Sequence, residues 1–463
     1  MPGLAIAVVK DGEVILQKGY GLREAGLPDK VDAETLFAIG STSKAFTSAA
    51  IGTLVDAGKL EWDTPVTKVW PEFKLADPWV TKEIRVSDLM ANHSGLSALS
   101  EMLWYGTGFD RAQIMERLPF VPIDEGFRYQ FQYRNVMFLA AGELIPRVDG
   151  RSWDDYLRDV LFRPLGMKRT FPTEAGIGKM DNVAQPHVID YHGAAWPVPY
   201  RDMHNIGPAG SIISNVADLA NWMRMHLAQG KFGDKQILKP ETLAFIHRSQ
   251  TPLGTTGPNG APLSPPAELP AYCLSWVTQS YRGTRIVWHN GGIDGMSAWI
   301  GLLPDDGIGV AILTNLENAD LRKAVFYHVV DAMTGKAPLE LEPELLKARD
   351  EALAARDAAE KAWMALAAKP LTPPLPLKEL AGTYRNPALG EVRIELENGA
   401  LVYYRTPQQT LDLVYSDGDQ FLGKYRNAAE DLRSGKVDLE FAIKEGAATA
   451  FTEENLATYE RVK

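Results

Sequence analysis

Over its first 21 residues, "MPGLAIAVVKDGEVILQKGYG", the chain sets an apolar run at 4–9 against the polar pair Asp11-Gly12, then a second run at 14–17. Two short β-prone runs divided by an Asp-Gly turn predict a hairpin. The period then changes. Apolar residues recur at helical spacing over 47–57, 136–148 and 218–229, which predicts three helices. From 286 to 315, "IVWHNGGIDGMSAWIGLLPDDGIGVAILTN" returns to strand-like runs, three of them, split by Gly-rich and Asp-rich turns, and a helix over 320–334 closes the region. Strands, then helices, then strands predict an α+β class, with an antiparallel sheet flanked by helices rather than alternating β-α-β units. The stretch 251–270, "TPLGTTGPNGAPLSPPAELP", has too little apolar content to pack and is expected to be a surface loop overhanging a site.

Beyond 341 the pattern shifts twice. Residues 341–369 are rich in Ala, Glu, Lys and Arg, as an exposed helix is, and Leu345, Ala348, Ala352, Ala355, Ala359, Ala362 and Leu366 form a narrow seam along it. That seam is expected to dock on the main domain, ahead of coiled-coil pairing, because Ala buries little area. "KPLTPPLPL" follows as a stiff spacer. From 376 the chain reads as all-β: "EVRIELENGALVYYRT" puts Val392, Ile394 and Leu396 on one face and turns at Asn398-Gly399. A small barrel or sandwich fits. The expected division is 1–336, a helical and Pro-rich linker at 337–375, and a β domain at 376–463.

Composition narrows the function classes. A net charge of -11 with no basic tract argues against a nucleic-acid or anionic-membrane partner. The single cysteine, Cys273, excludes an internal disulfide framework and lacks the paired spacing of a zinc site. No apolar run reaches the roughly 18 residues that span a bilayer. The N-terminus lacks a basic n-region and a cleavage site, so it is not a signal peptide. A chain that starts directly in a core strand leads us to expect a preceding helix, and with it a leader, upstream of Met1. A leader would make the protein periplasmic or secreted; without one it is cytoplasmic.

Chemistry is concentrated in "FAIGSTSKAFTSAAIGTLV". Positions i and i+3 share a helix face, so the Lys44 amine can reach the Ser41 hydroxyl and take its proton. Unpaired N–H groups at the same helix start could stabilise an oxyanion. The alternative is Ser41 as an N-cap and Lys44 as a solvated first-turn residue; the apolar stretch that follows opposes it, since an unpaired buried lysine is expensive. "FQYRNVMFLAAG" offers Tyr133 and Asn135 just before an apolar helix as proton-transfer partners. The same triplet at 384–386 and 425–427 falls in the β-rich tail and reads as strand residues beside turns. "WHNGGIDG" supplies His289, Gly291 and Gly292 on an expected edge strand, where glycine lets a substrate backbone approach. A rival at His93-Ser94-Gly95 follows a helix-like stretch and lacks a strand. His187, His192 and His204 have no metal-ligand spacing and are expected at the surface or in loops.

In order, Ser41-Thr42-Ser43-Lys44, Tyr133-Arg134-Asn135 and His289-Asn290-Gly291 resemble the three signatures of the penicillin-recognising serine hydrolases. The closest likeness is to the class C beta-lactamase-related group of D-aminopeptidases, D-Ala-D-Ala carboxypeptidases and esterases. "PGLAIAVVKDGEV", "GKLEWDTPV", "NHSGL", "YLRDVLFRPLGMKRT" and "AGSIISNVADLANWMRMHL" extend it over residues 2–335. The tail is similar to the small lipocalin-like β domain appended to some of these peptidases. The resemblance implies a beta-lactamase-like sandwich with an all-helical lobe, and neither metal nor cofactor. It further implies that Ser41 is acylated, Lys44 is its base and Tyr133 shuttles the proton, while Asn135 holds the substrate amide. Backbone N–H groups of Ser41 and Gly292 would form the oxyanion hole, and the strand of His289 and Gly291 would line the cleft.

Beta-lactamases of this group carry lysine at the position of His289, so an imidazole there favours peptidases and some esterases. An imidazolium at His289 is expected to hold a substrate carboxylate and to lose it above about pH 6.5. Asn92 stands where the family often has histidine, and Arg134 fills a position that is usually small. The expected function is a metal-free serine peptidase on short linear or D-residue-containing peptides. An esterase on small acyl esters with weak beta-lactamase activity is the alternative, then a penicillin-binding sensor acylated without turnover. Partners are a small peptide or acyl substrate, with the linker helix or β domain as the surface for a homo-oligomer.

Overall fold

The structure is a computed structural model that describes all residues except 125, 256–264, 266, 370–371 and 463. β1 (Gly3–Lys10) and β2 (Glu13–Gly21) form the expected hairpin, with Asp11 and Gly12 both at positive φ, as a two-residue turn of this kind requires. β3 (Phe37–Ala38) pairs with β4 (Ile213–Ser214). β5 (Thr251–Pro252), β6 (Glu268–Tyr272), β7 (Val277–Tyr281), β8 (Thr284–Ile293), β9 (Met296–Leu303) and β10 (Ile308–Thr314) complete an eight-stranded sheet in the order β2-β1-β10-β9-β8-β7-β6-β5. Every pairing in it is antiparallel. The stretch expected to be a surface loop is therefore strand at both ends, β5 and the start of β6; most of its middle lies outside the described residues.

The long helices among the described residues are α1 (Ser43–Asp56), α2 (Asn135–Asp149), α3 (Val216–Leu227), α4 (Leu321–Met333) and α5 (Glu342–Ala367). Two glycines show which sheet face α3 and α4 cover. A Cβ on Gly301 would strike the Phe326 ring of α4 at 2.2 Å, and one on Gly309 would meet Met223 of α3 at 3.0 Å. Gly301 pairs with Val310, so those two share a face, and the neighbouring Gly309 points the other way. α3 and α4 thus lie on opposite faces. Strands β9 and β10, covered on both sides, are buried at every position, which is why their sequences show no apolar-polar alternation. α1 packs against α2 and the short helix Gly207–Gly210, buried on nearly all sides.

The chain forms two compact units. The first contains Met1–Leu96, Ile123–Val188 and Ala195–Leu345; the second contains Ser97–Pro122, Ile189–Ala194 and Leu346–Lys463. A division at 337 and 376 therefore misses two segments that join the second unit in space, and places most of α5 in a linker when it belongs to that unit. The β-rich tail is a closed barrel: eight antiparallel strands in chain order, from Gly382–Asn386 to Ala457–Arg461, closed by pairing Tyr384 with Arg461. Tyr384, Tyr403, Phe421, Phe441, Phe451 and Tyr459 fill it, with Phe451 stacked on Tyr459 at 4.9 Å between ring centroids. The alanine seam of α5 remains exposed. Leu353, Arg356, Glu360 and Trp363 are half-buried, as are Leu345 and Leu366 at the two ends of the seam. Glu360 pairs with Lys424 and with Lys436 (2.7 Å), and Trp363 Nε1 donates to the Leu422 carbonyl at 3.3 Å. Long side chains with a polar tip bury more surface than alanine and bring ion pairs with them.

In the first unit His226 and His247 stack at 5.1 Å beside Trp276, both buried. Burial holds His226 well below the usual imidazole range and His247 at about 3. Between about pH 6.5 and 3 the unfolded chain therefore binds protons that the native state refuses, so stability is lost as pH falls through that window. The urea midpoint should drop steadily from about pH 6.5 to 4, and His247→Phe should make that slope shallower.

Candidate active site

The site begins with a turn. After β3 the backbone passes Ile39 into the 3-10 turn Gly40–Thr42 and on into α1. Gly40 adopts φ +51, and a Cβ there would come within 2.8–3.0 Å of the Gly292 backbone. Gly291 is tighter still: its Cβ would lie 2.0 Å from the Ile39 carbonyl oxygen. Side chains at either place would push β8 away from the start of α1. Ser41 does not cap the helix, since neither the turn nor α1 has a side-chain cap. Ser43 Oγ instead accepts from Ile212 N at 3.1 Å, and Thr47 Oγ1 donates to the Pro208 carbonyl at 2.7 Å, which fastens α1 to the Gly207–Gly210 segment.

Lys44 is fully buried. Its Nζ donates to Ser41 Oγ at 3.0 Å, to Asn135 Oδ1 at 2.7 Å and to the Ala209 carbonyl at 2.7 Å. The Tyr133 and Phe138 ring centroids lie 4.8 and 5.2 Å from the same nitrogen. Two carbonyl-type acceptors fix two N–H directions of a tetrahedral nitrogen, and the third points at Ser41 Oγ. In the neutral amine that third direction is a lone pair, so the geometry that reads as a hydrogen bond also serves proton abstraction.

His289 is buried, with Nδ1 2.5 Å from its neighbour's carbonyl at Asn290 and Nε2 3.1 Å from the Tyr272 hydroxyl. A carbonyl only accepts, so these bonds assign the proton to Nδ1 and leave Nε2 to accept from Tyr272. Burial pushes the imidazole down to about 3, and the Lys44 charge pushes the same way. This overturns the expectation of an imidazolium that titrates near 6.5 and grips a carboxylate. His289 is neutral and lies beside Tyr133, ring centroids 6.3 Å apart. The edge-strand expectation also changes. β8 is interior to the sheet, but its pairing with β7 ends at Trp288, so only the half from His289 onward is open on that side.

Ser41, Lys44, Tyr133, Asn135, His289, Gly291 and Gly292 are thus gathered around one point. The departures at positions 92 and 134 are scaffold. Asn92 Oδ1 accepts from Arg134 N at 3.1 Å and its carbonyl accepts from Gln132 N at 2.7 Å, while buried Arg134 donates from Nε to the Leu96 carbonyl at 2.7 Å. Both pin the loop that carries Tyr133. His93 is held between Asp88 (2.7 Å) and Thr251 (3.0 Å), a structural role. His192 and His204 are exposed as expected, but His187 is buried, accepting from Ala25 N at 3.1 Å and bonding the Asn315 carbonyl at 3.0 Å. The later tyrosines of the repeated triplet, Tyr384 and Tyr425, are buried barrel residues. Two members were missed: Ala209, which contributes a main-chain carbonyl and no side-chain signal, and Tyr272, an unremarked strand tyrosine. Among the described residues no three His, Cys, Asp or Glu side chains converge as metal ligands.

A neutral His289 cannot discriminate a substrate carboxylate by charge. For a peptide acid and its amide, the ratio of kcat/KM values should stay constant from about pH 5 to 8; a tenfold fall centred near 6.5 would restore the imidazolium.

Residues 1–333 match the Beta-lactamase family, and residues 366–460 match a domain of unknown function, DUF3471. The Unguisins hydrolase ungD' of Aspergillus campestris is 30% identical over 420 residues, covering 85% of this chain and 74% of the relative. The octameric penicillin-binding protein homologue from Pyrococcus abyssi has a TM-score of 0.62 at 22% identity, over 99% of this chain and 96% of that one. A D-stereospecific amidohydrolase from Streptomyces sp. gives 0.57 at 20%, over 73% and 95%. These last two likenesses are of fold. With the family matched over residues 1–333 and its three motifs assembled at one site, this chain belongs to the beta-lactamase family of serine hydrolases.

Proposed function

We propose that the chain is a serine peptidase that cleaves short linear or D-residue-containing peptides through an acyl-enzyme at Ser41. The observation that carries this reading is Lys44 Nζ, 3.0 Å from Ser41 Oγ with its other bonds committed to Asn135 and Ala209. Ser41 Oγ attacks the scissile carbonyl carbon as its proton passes to Lys44. The developing oxyanion is met by the backbone N–H groups of Ser41 and Gly292, in the region where Gly40 and Gly292 adjoin. Collapse breaks the C–N bond, and Tyr133, over the Lys44 nitrogen, delivers the proton that the departing amine needs. Water then enters by the reverse relay and frees Ser41.

An amide makes the heavier demand on this machinery. Its nitrogen leaves only when protonated, so a shuttle poised beside the base favours peptides over esters, whose oxygen leaves more readily. Asn135, whose Oδ1 accepts a hydrogen bond from Lys44, would hold the substrate amide in this reading. The names of relatives agree in kind: one is a hydrolase, and one of similar fold is a D-stereospecific amidohydrolase.

Intact-mass analysis after treatment with a fluorophosphonate should show one adduct, on Ser41, absent in Ser41→Ala. Lys44→Ala should lower kcat by about 10²–10⁴-fold with little change in KM. A panel of L- and D-peptides beside matched esters should show turnover of peptides. Turnover of esters alone would replace the reading with an esterase, and a burst without turnover would replace it with a sensor.

A further inference from the structure

The Gly292 N–H can serve an oxyanion only if the end of β8 is held in place, and its own sheet holds that end on one flank alone. Beyond Trp288 the strand has no partner on the β7 side. On the other side it pairs Gly292 with Ser297 and Ile293 with Met296, and then turns at Asp294-Gly295. Three contacts fasten that turn. Gly295 N donates to Glu317 Oε2 at 3.2 Å, the Gly295 carbonyl accepts from His187 N at 2.9 Å, and Asp294 Oδ2 accepts from Arg201 Nε at 2.8 Å. The first two hold Gly295; the third takes hold one residue nearer Gly292.

The Arg201–Asp294 ion pair is nearly dry, its side chains 13% and 9% exposed. It borders a small cavity together with Ala38, Gly210 and Ile293, so it lies against the segments that carry Ser41, the Ala209 carbonyl and Gly292. A carboxylate in that position without its partner would repel the negative charge that develops on the substrate oxygen, and a charge with little water around it acts further than one in solvent. The Arg201 guanidinium cancels it. Gly292 has no atom within 4 Å of the place its Cβ would take, so packing on that side leaves it room to shift when the turn does.

We infer that Arg201 is a positioning residue for the oxyanion hole: its ion pair with Asp294 anchors the turn that follows Gly292 and removes a negative charge from beside the oxyanion. This role rests on the acyl-enzyme at Ser41 proposed above, and Arg201 acts in it through Gly292, without touching the reacting atoms.

The rate at which a fluorophosphonate labels Ser41 of the full chain at neutral pH, followed by intact mass, tests this. Fluoride leaves without the proton that an amine needs, so the rate reads the nucleophile and the oxyanion hole and leaves the Tyr133 shuttle out. Arg201→Gln, which strands the Asp294 carboxylate, should slow labelling about tenfold. Arg201→Ala should do the same, so that the result does not hang on one variant folding. Arg201→Lys, which keeps the charge, should label nearly as fast as the wild type. Arg201→Gln combined with Asp294→Asn breaks the same ion pair but strands no charge, and should recover most of the loss. A double variant as slow as Arg201→Gln would reduce the pair to a structural tie, and single variants as fast as the wild type would remove the role altogether; either result overturns the proposal. A wild-type chain that takes no label on Ser41 would instead overturn the acyl-enzyme reading.

Discussion

A buried lysine amine with three fixed hydrogen-bond partners is the constraint on which the rest of this structure turns. An ammonium or amine taken out of water must find its lost partners in the protein. Here three separate segments supply them: Ser41 from the turn before α1, Asn135 from the first position of α2, and Ala209 from the short helix that abuts both. The packing of α1 against these elements is therefore also the construction of the site. Thr47, whose hydroxyl donates to Pro208 and accepts from Trp153 Nε1 at 3.0 Å, ties α1 one turn further on to the short helix and to the helix Trp153–Leu157.

Around that amine the other polar groups are arranged to avoid competing charge. His289 is kept neutral by burial and by the lysine itself, with a carbonyl at one nitrogen and a hydroxyl at the other. An imidazolium there would repel the cation that forms when Ser41 gives up its proton. The position is thus one of hydrogen bonding and shape, and a lysine in its place would bring a second positive charge against Lys44. Glycines at 40 and 291 do the remaining work, since contact between two backbones cannot be made with any side chain between them.

Much of this was legible in the sequence because its signals are local. Ser41 and Lys44 are three residues apart, the Asp11-Gly12 turn fixes the first hairpin, and helices with long apolar faces appear where the periodicity puts them. What stayed hidden is decided by partners distant along the chain. The burial of His187 and His289, the carbonyl of Ala209 and the hydroxyl of Tyr272 depend on which segments meet, and no spacing records that. Alternation alone allowed a barrel or a sandwich for the tail, since it gives one buried face without saying whether the sheet closes; the likeness to a small lipocalin-like β-barrel pointed to the closed form that the structure has. On α5 the alanines drew the eye by regularity, yet Glu360 and Trp363 made the contacts, because area and ion pairing decide docking where periodicity alone does not.

The central claim is that the amine of residue 44 is the base for the Ser41 hydroxyl. Its most direct test is the pH dependence of the rate at which Ser41 is acylated by an activated ester, followed by intact mass. The wild type would be compared with a Lys44→Cys chain alkylated to the aminoethyl thioether in a Cys273→Ala background. The thioether amine is the weaker base, and the account predicts that the rising limb of the profile moves to lower pH with it. A limb that stays in place when the amine is changed would contradict it.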